Sequence, residues 1–259
     1  MTSFDRTVLI TGASSGIGEA AARAFAAAGA RLVLAARRVE RIEALAAELA
    51  TAHGTSSHPM QLDVRHAGVV TRMLEDLPAD WAEIDVLVNN AGLSRGLEKL
   101  HEGDISDWDE MVDTNVKGLL YVTRAVVPGM VARGRGHVIN IGSIAGHEVY
   151  PGGAVYCATK FAVGAITRGL RIDLLGTPIR VTTIDPGMVE TEFSIVRFHG
   201  DSARAARVYE GIQPLTAQDI ADAILYAATR PSHVNVDEVL MMATAQAGAS
   251  RVARGVTAK

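Results

Sequence analysis

Cysteine is all but absent from this chain: Cys157 is the single example in 259 residues. That excludes an internal disulfide, leaves stability to a buried apolar core, and fits a reducing compartment such as the cytoplasm. No run approaches the ~18–20 apolar residues of a membrane-crossing helix. Met1–Asp5 is polar and lacks the basic-then-apolar pattern of a secretory signal. The eight histidines show no ligand spacing, so no metal site is expected. Positive charge is not in excess either. A formal charge of −4 argues against nucleic acid as a partner, and the mildly basic end "ASRVARGVTAK" reads as solvated charge. No linker rich in Pro, Ser or Gly divides the chain, and no internal repeat is visible. What remains is one domain, residues 1–259, that handles a small molecule.

Short β-branched runs alternate with helical patterns throughout. "TVLIT" (7–11) precedes an Ala-rich helix closed by Gly29, and "RLVLAAR" (31–37) precedes a helix in which Ile42, Leu45 and Leu49 recur at helical spacing. "HPMQLDV" (58–64) is followed by a helix ending near Leu77-Pro78, then "IDVLVNNAG" (84–92). A long helix is predicted over 106–132, followed by "GHVINIGS" (136–143), a helix over 153–175 and "IRVTTIDPG" (179–187). After an irregular stretch come the helix "TAQDIADAILYAAT" and a last strand, "VDEVLMM". Continuous apolar strands between helices imply a parallel sheet covered on both faces. Right-handed crossovers then give an α/β Rossmann fold, a doubly wound sheet of seven strands.

Gly12, Gly16 and Gly18 lie directly between the first strand and the first helix, where backbone must approach a pyrophosphate closely. At the end of the second strand, an acid that would bind an NAD ribose is missing. Ala35-Ala36 and then Arg37-Arg38 stand there instead. No carboxylate repels a 2′-phosphate and a guanidinium can pair with it, so NADP(H) is the predicted cofactor, with Arg37 the main contact and Arg38 in support. Tyr156 and Lys160 are four residues apart, so they share one face of their helix.

"TGASSGIG", "LDV", "NNAG", "DTNVKG", "INIGS", "Y-x-x-x-K" at 156–160 and "DPGMVETEF" occur in this order along nearly the whole chain. Together they resemble the short-chain dehydrogenase/reductase family in its compact, single-domain branch. The resemblance implies cofactor contacts from Gly12, Ser14, Ser15, Gly16, Ile17 and Gly18, from Asp63 and Val64, and from Asn89, Ala91 and Gly92. It implies further contacts from Tyr156, Lys160, Pro186, Gly187, Val189 and Thr191, with Thr191 near the nicotinamide carboxamide. Asn115, Ser143, Tyr156 and Lys160 match the family's catalytic positions. "TRAVVPGMVARGRGHVINIGS", "TEFSIVRFHGD" and "LMMATAQ" are similar, more narrowly, to NADP-dependent dehydrogenases of short 3-hydroxy acids. The chain departs from that subgroup at His147-Glu148 and in "MMATAQ".

The implied chemistry is hydride transfer between nicotinamide and a CH–OH group, with Tyr156 as general acid and base. A tyrosine pKa of roughly 10 is too high for that task, and the expectation is that the Lys160 ammonium and the nicotinamide charge lower it. Ser143 ends the fifth strand, where its hydroxyl can hold the substrate oxygen. Asn115 falls on the buried stripe marked by Trp108, Met111, Leu119 and Val126, and the resemblance implies that it fixes a water linking Lys160 to solvent. Arg197 is the cation expected for a substrate carboxylate, with His147 and Tyr150 lining the pocket. A reductase of 3-oxoacyl thioesters or of a biosynthetic aldehyde or ketone stays open as an alternative, as does an NADP sensor without turnover. The resemblance further implies a homotetramer through the helices around 106–132 and 153–175, and residues 247–259 are expected to be a flexible or oligomer-contacting tail.

Overall fold

Thr7–Thr11 is β-branched and apolar, and as strand β1 it is buried along its whole length. The computed structural model describes Phe4–Gly255. After β1 come α1 (Gly16–Ala27), β2 (Arg31–Ala36), α2 (Val39–His53), β3 (Ser57–Gln61) and α3 (Ala67–Arg72). Then follow β4 (Val86–Asn89), α4 (Ile105–Val112), α5 (Leu119–Arg133), β5 (Gly136–Ile141) and α6 (Ala154–Asp173). The chain continues through β6 (Ile179–Pro186), α7 (Phe193–Arg197), α8 (Ser202–Arg207), α9 (Ala217–Ala228) and β7 (Glu238–Met241). All seven strands run parallel in the order β3-β2-β1-β4-β5-β6-β7. The order reverses between β1 and β4, so the crevice for a ligand opens at the carboxyl ends of those two strands.

Alternation along the strands divides the core. Val8, Ile10, Leu32 and Leu34 face α1, α2 and α9 with Phe25, Ile42, Ile220 and Ile224. Leu9, Val33, Leu87 and Val138 face the other way, with Val122, Val126, Met130 and Leu174. A smaller cluster of Leu93, Met111, Ala145, Tyr156 and Cys157 lies under the carboxyl edge. Among the described residues no helix is long and apolar enough to cross a membrane.

Four stretches differ from the sequence expectation. The helix expected to reach Leu77-Pro78 stops at Arg72 and gives way to turns and a short turn of helix at Ala79–Trp81. The helix expected over 106–132 is interrupted by a π-helical turn at Asp113–Gly118 between α4 and α5. That extra residue in the turn shifts side chains without breaking the apolar stripe, so periodicity alone does not reveal it. α7 and α8, in the stretch read as irregular, are five and six residues long, too short to show a helical period. Finally, β7 is shorter than "VDEVLMM" and half-exposed. Of the expected tail, 247–255 is hydrogen-bonded to the body, with Ala249 N–H donating to Glu148 Oε2, Ala253 N–H to Ala245 O and Gly255 N–H to Gly211 O. Residues 256–259 lie outside the described part.

Candidate active site

A cleft of about 330 Å³ opens where β1 and β4 diverge. Its floor is the turn after β1. Gly12 has φ +67°, and a Cβ there would lie 2.9 Å from Asn90 Nδ2, so only glycine suits both the left-handed backbone and the crowding. Gly18 does not line the cleft. A Cβ at Gly18 would strike the Gly12 carbonyl, so this glycine is needed for close helix–loop packing. Ser14, Ser15, Gly16 and Ile17 do line the cleft. At the start of α1 the first amides have no intrahelical acceptor and point at that space.

The residues expected at the adenosine end lie together at one side of the cleft. Arg37, Arg38, Leu62, Asp63 and Val64 all border the cleft. The Arg37 side chain is 52% exposed, with the Glu110 carboxylate 3.7 Å from it. Arg38 is engaged: its guanidinium donates to Ser14 Oγ at 3.2 Å, Ser15 Oγ at 2.8 Å and Glu192 Oε2 at 2.9 Å. Asp63 pairs with Arg65 at 2.6 Å. Burial opposes its charge, but the Arg65 hydrogen bonds outweigh it and hold the carboxyl below its usual range. Amides at a helix start, two hydroxyls and an uncrowded guanidinium form a donor set that suits a dinucleotide carrying a 2′-phosphate.

Asn89 is misplaced by the sequence reading. Its side chain points into the core, donating to Thr123 Oγ1 and Asn140 Oδ1, both at 2.9 Å. The next residue, Asn90, lines the cleft with Ala91 and Gly92. Successive residues at a strand end face opposite sides, and the doubled asparagine hid which one turns outward. Asn90 Nδ2 donates to Thr11 O at 2.9 Å and Gly12 O at 3.2 Å, tying the two turns together.

At the nicotinamide end Ser143, Tyr156 and Lys160 meet beside Pro186, Gly187, Val189 and Thr191. The Ser143 hydroxyl accepts from Ala145 N–H at 3.1 Å. Lys160 is 8% exposed, and its Nζ donates to Ile141 O at 2.8 Å and lies 5.9 Å from the Tyr156 ring centre. Burial pushes Lys160 down to about 8, against the pull of the Asp185 carboxylate, which favours the ammonium. Tyr156 departs from expectation. Burial raises its pKa above the ordinary value, Tyr150 adds to the rise, and Arg197 and the Ser143 hydroxyl only partly oppose it. The chain by itself therefore keeps the phenol protonated at neutral pH.

Asn115, within the π-helical turn, uses both amide protons on Leu93 O (2.8 Å) and Thr159 Oγ1 (3.0 Å), and accepts from Leu93 N–H at 2.8 Å. Thr159 passes its own proton to Tyr156 O at 2.7 Å. Asn115 thus pins the turn after β4 to the helix that carries Tyr156, and its side chain is not among those facing the cleft.

Of the three substrate candidates none lines the cleft, but the structure brings Arg197 and Tyr150 together beside Tyr156. Arg197 donates to the Tyr150 hydroxyl at 2.9 Å, and its guanidinium lies 5.4 Å from the Tyr156 ring centre. Among the described residues its buried Nε has no hydrogen-bond partner. His147 corrects the expectation. The turn after Ser143 swings it toward β6 and β7, where Nε2 meets Asp185 Oδ2 at 2.9 Å and stands 3.9 Å from Glu238 Oε1. The neighbouring Glu148 accepts from Ala249 N–H at 3.0 Å. Neither residue lines the cleft. Asp185 itself was missed; its carboxylate abuts Gly142, where a Cβ would fall on it, and it acts on Lys160 from behind.

A family model described as short chain dehydrogenase matches residues 6–201. The chain belongs to that family. The NADP-dependent 3-hydroxy acid dehydrogenase of Salmonella typhi is 51% identical over 240 residues, 92% of this chain and 95% of that one. The NADP-dependent 3-hydroxy acid dehydrogenase of Schizosaccharomyces pombe is 46% identical over 250 residues, 96% of each. Among solved structures, the closed form of a serine dehydrogenase complexed with NADP+ matches with a TM-score of 0.90 at 47% identity, over 94% of this chain and 97% of that one. The serine dehydrogenase of Escherichia coli matches with a TM-score of 0.81 at 44% identity, over 93% of this chain and 99% of that one.

Proposed function

We propose that this short chain dehydrogenase interconverts a small 3-hydroxy acid and its 3-oxo form with NADP(H), Tyr156 moving the proton. The observation that carries the substrate class is Arg197. A guanidinium with an unpartnered Nε sits 5.4 Å from the Tyr156 ring centre, oriented by Tyr150. A buried donor without a partner is costly, and a carboxylate beside the reacting hydroxyl would satisfy it. The relatives named as 3-hydroxy acid dehydrogenases support the same class.

Gly12, Ser14–Ile17, Arg37 and Arg38, Asp63 and Val64, Ala91 and Gly92, and Pro186, Gly187, Val189 and Thr191 are the residues that would hold the cofactor, with Asn90 in the place first given to Asn89. When bound, NADP+ supplies the hydride acceptor and a positive ring. In the oxidative direction Ser143 Oγ donates to the substrate oxygen and Tyr156 Oη takes the hydroxyl proton. In reduction Tyr156 returns it. Lys160 holds an ammonium near the phenol, and Asn115 keeps the turn and helix in register and is the proposed anchor of a water leading from Lys160. We place the enzyme in the cytoplasm as a homotetramer. The exposed Leu120 and Val131 of α5 and Phe161 of α6 support that packing.

The test is NADP+ reduction across L-serine, D-serine, allo-threonine, 3-hydroxypropionate and 3-hydroxyisobutyrate, each beside its methyl ester. Turnover of an acid should exceed that of its ester by ~10–100-fold, the worth of one charged hydrogen-bonded contact, and Arg197→Gln should erase the gap. Silence on every acid alongside reduction of 3-oxoacyl thioesters would favour the thioester reading instead.

A further inference from the structure

We propose that Glu192 is a positioning residue that fastens the α7 segment across the mouth of the cofactor cleft, with Arg38 and Arg41 as its anchors. This rests on the NADP reading above and adds to it a device for retaining the cofactor. Glu192 lines the cleft at the start of α7. Its Oε2 accepts from Arg38 Nη1 at 2.9 Å and its Oε1 from Arg41 Nη1 at 2.7 Å. The two arginines flank the start of α2, more than 150 positions away in the chain. Because Arg38 also holds the Ser14 and Ser15 hydroxyls, one unbroken run of hydrogen bonds passes from the phosphate loop over the cleft to α7. Thr191 closes the same gap below it; a Cβ at Gly16 would lie 3.3 Å from the Thr191 Cβ.

The two sides of α7 are held differently. Its far side is anchored through backbone: Gly96 N–H donates to Arg197 O at 2.9 Å, and Arg95 Nη1 to Val196 O at 2.5 Å. Its near side is tied by the Glu192 carboxylate, 38% exposed, shared between two half-exposed guanidinium groups. Exposed ion pairs break cheaply, so the near side is the one that opens to let a dinucleotide in and out. Closure also sets the substrate end, since α7 carries Phe193, edge-on to the Tyr156 ring at 5.6 Å, and Arg197.

Arg41 separates this reading from its rival. It does not line the cleft and its guanidinium donates to Glu192, so its removal loosens the strap without deleting a direct cofactor contact. If Glu192 instead competed with a 2′-phosphate for Arg38, removing its charge would tighten binding.

The experiment is stopped-flow release of NADPH from the full chain, read by cofactor fluorescence, for wild type, Glu192→Gln, Arg41→Met and the double variant. Each single change should speed release about three- to tenfold, the range for one or two exposed pairs. The double variant should be no faster than the faster single. Release that is unchanged or slower in Glu192→Gln, or effects that multiply in the double variant, would overturn the strap alone. A wild-type chain that holds no NADPH would overturn the cofactor reading and the strap with it.

Discussion

β5 has a buried basic side chain beside each of its ends, and the two are held in opposite ways. At the amino end His137 is 1% exposed, and burial, with Arg180 nearby, pushes it down to about 3. Its Nε2 meets Thr182 Oγ1 at 2.7 Å, and that hydroxyl spends its proton on Val236 O at 2.6 Å. Nε2 must therefore carry the ring proton, and the buried Nδ1 has no partner. At the carboxyl end Lys160 is also buried, yet it has a carbonyl acceptor, the Asp185 field and an open cleft. Burial alone marks neither group as functional. What distinguishes Lys160 is the space for a ligand beside it and the Tyr156 ring 5.9 Å away.

Changes at the two ends should separate cleanly. Lys160→Met should lower turnover ~10²–10⁴-fold, the usual range for losing a group that serves proton transfer, and weaken NADPH binding measured by fluorescence. Arg37→Ser should then cut the preference for NADP+ over NAD+ in kcat/KM by ~10–100-fold, one charged hydrogen-bonded contact, with turnover at saturation nearly unchanged. His137 should alter stability and leave turnover alone. It is neutral in the fold and charges in the unfolded chain below roughly pH 6.5, so the unfolded state binds more protons and stability falls as pH drops from 6.5 toward 3. Between pH 7 and pH 5 the loss is ~2 kcal/mol, and urea unfolding of His137→Leu at both values should lack that part of the decline.

The same contrast governs what could be read from the sequence. The glycine loop, the seven-stranded doubly wound sheet and the Tyr156–Lys160 pair were legible, because glycine spacing, apolar runs and an i, i+4 pair are local signals. The side on which Asn89 and Asn90 face was not, since strand ends leave the pleat within one residue. His147 was misjudged because a single turn after Ser143 decides whether it sees the cleft or β7. The π-helical turn around Asn115 keeps the apolar stripe intact and so stays hidden. Asp185 and Glu192 act across strands or across the cleft, and nothing local announces either partner. The rise in the Tyr156 pKa was equally unreadable. It comes mainly from burial by residues far apart in sequence.

The measurement closest to the central claim pairs turnover with NADPH binding in Tyr156→Phe. The ring stays in its contacts with Phe193 and Arg197 and only the proton-carrying hydroxyl is lost. Turnover of the best 3-hydroxy acid should fall ~10³-fold or more, while NADPH binds within about twofold of wild type, less than the worth of one hydrogen bond. Turnover within about tenfold of wild type, below the range for a general acid–base, would contradict the role given to Tyr156.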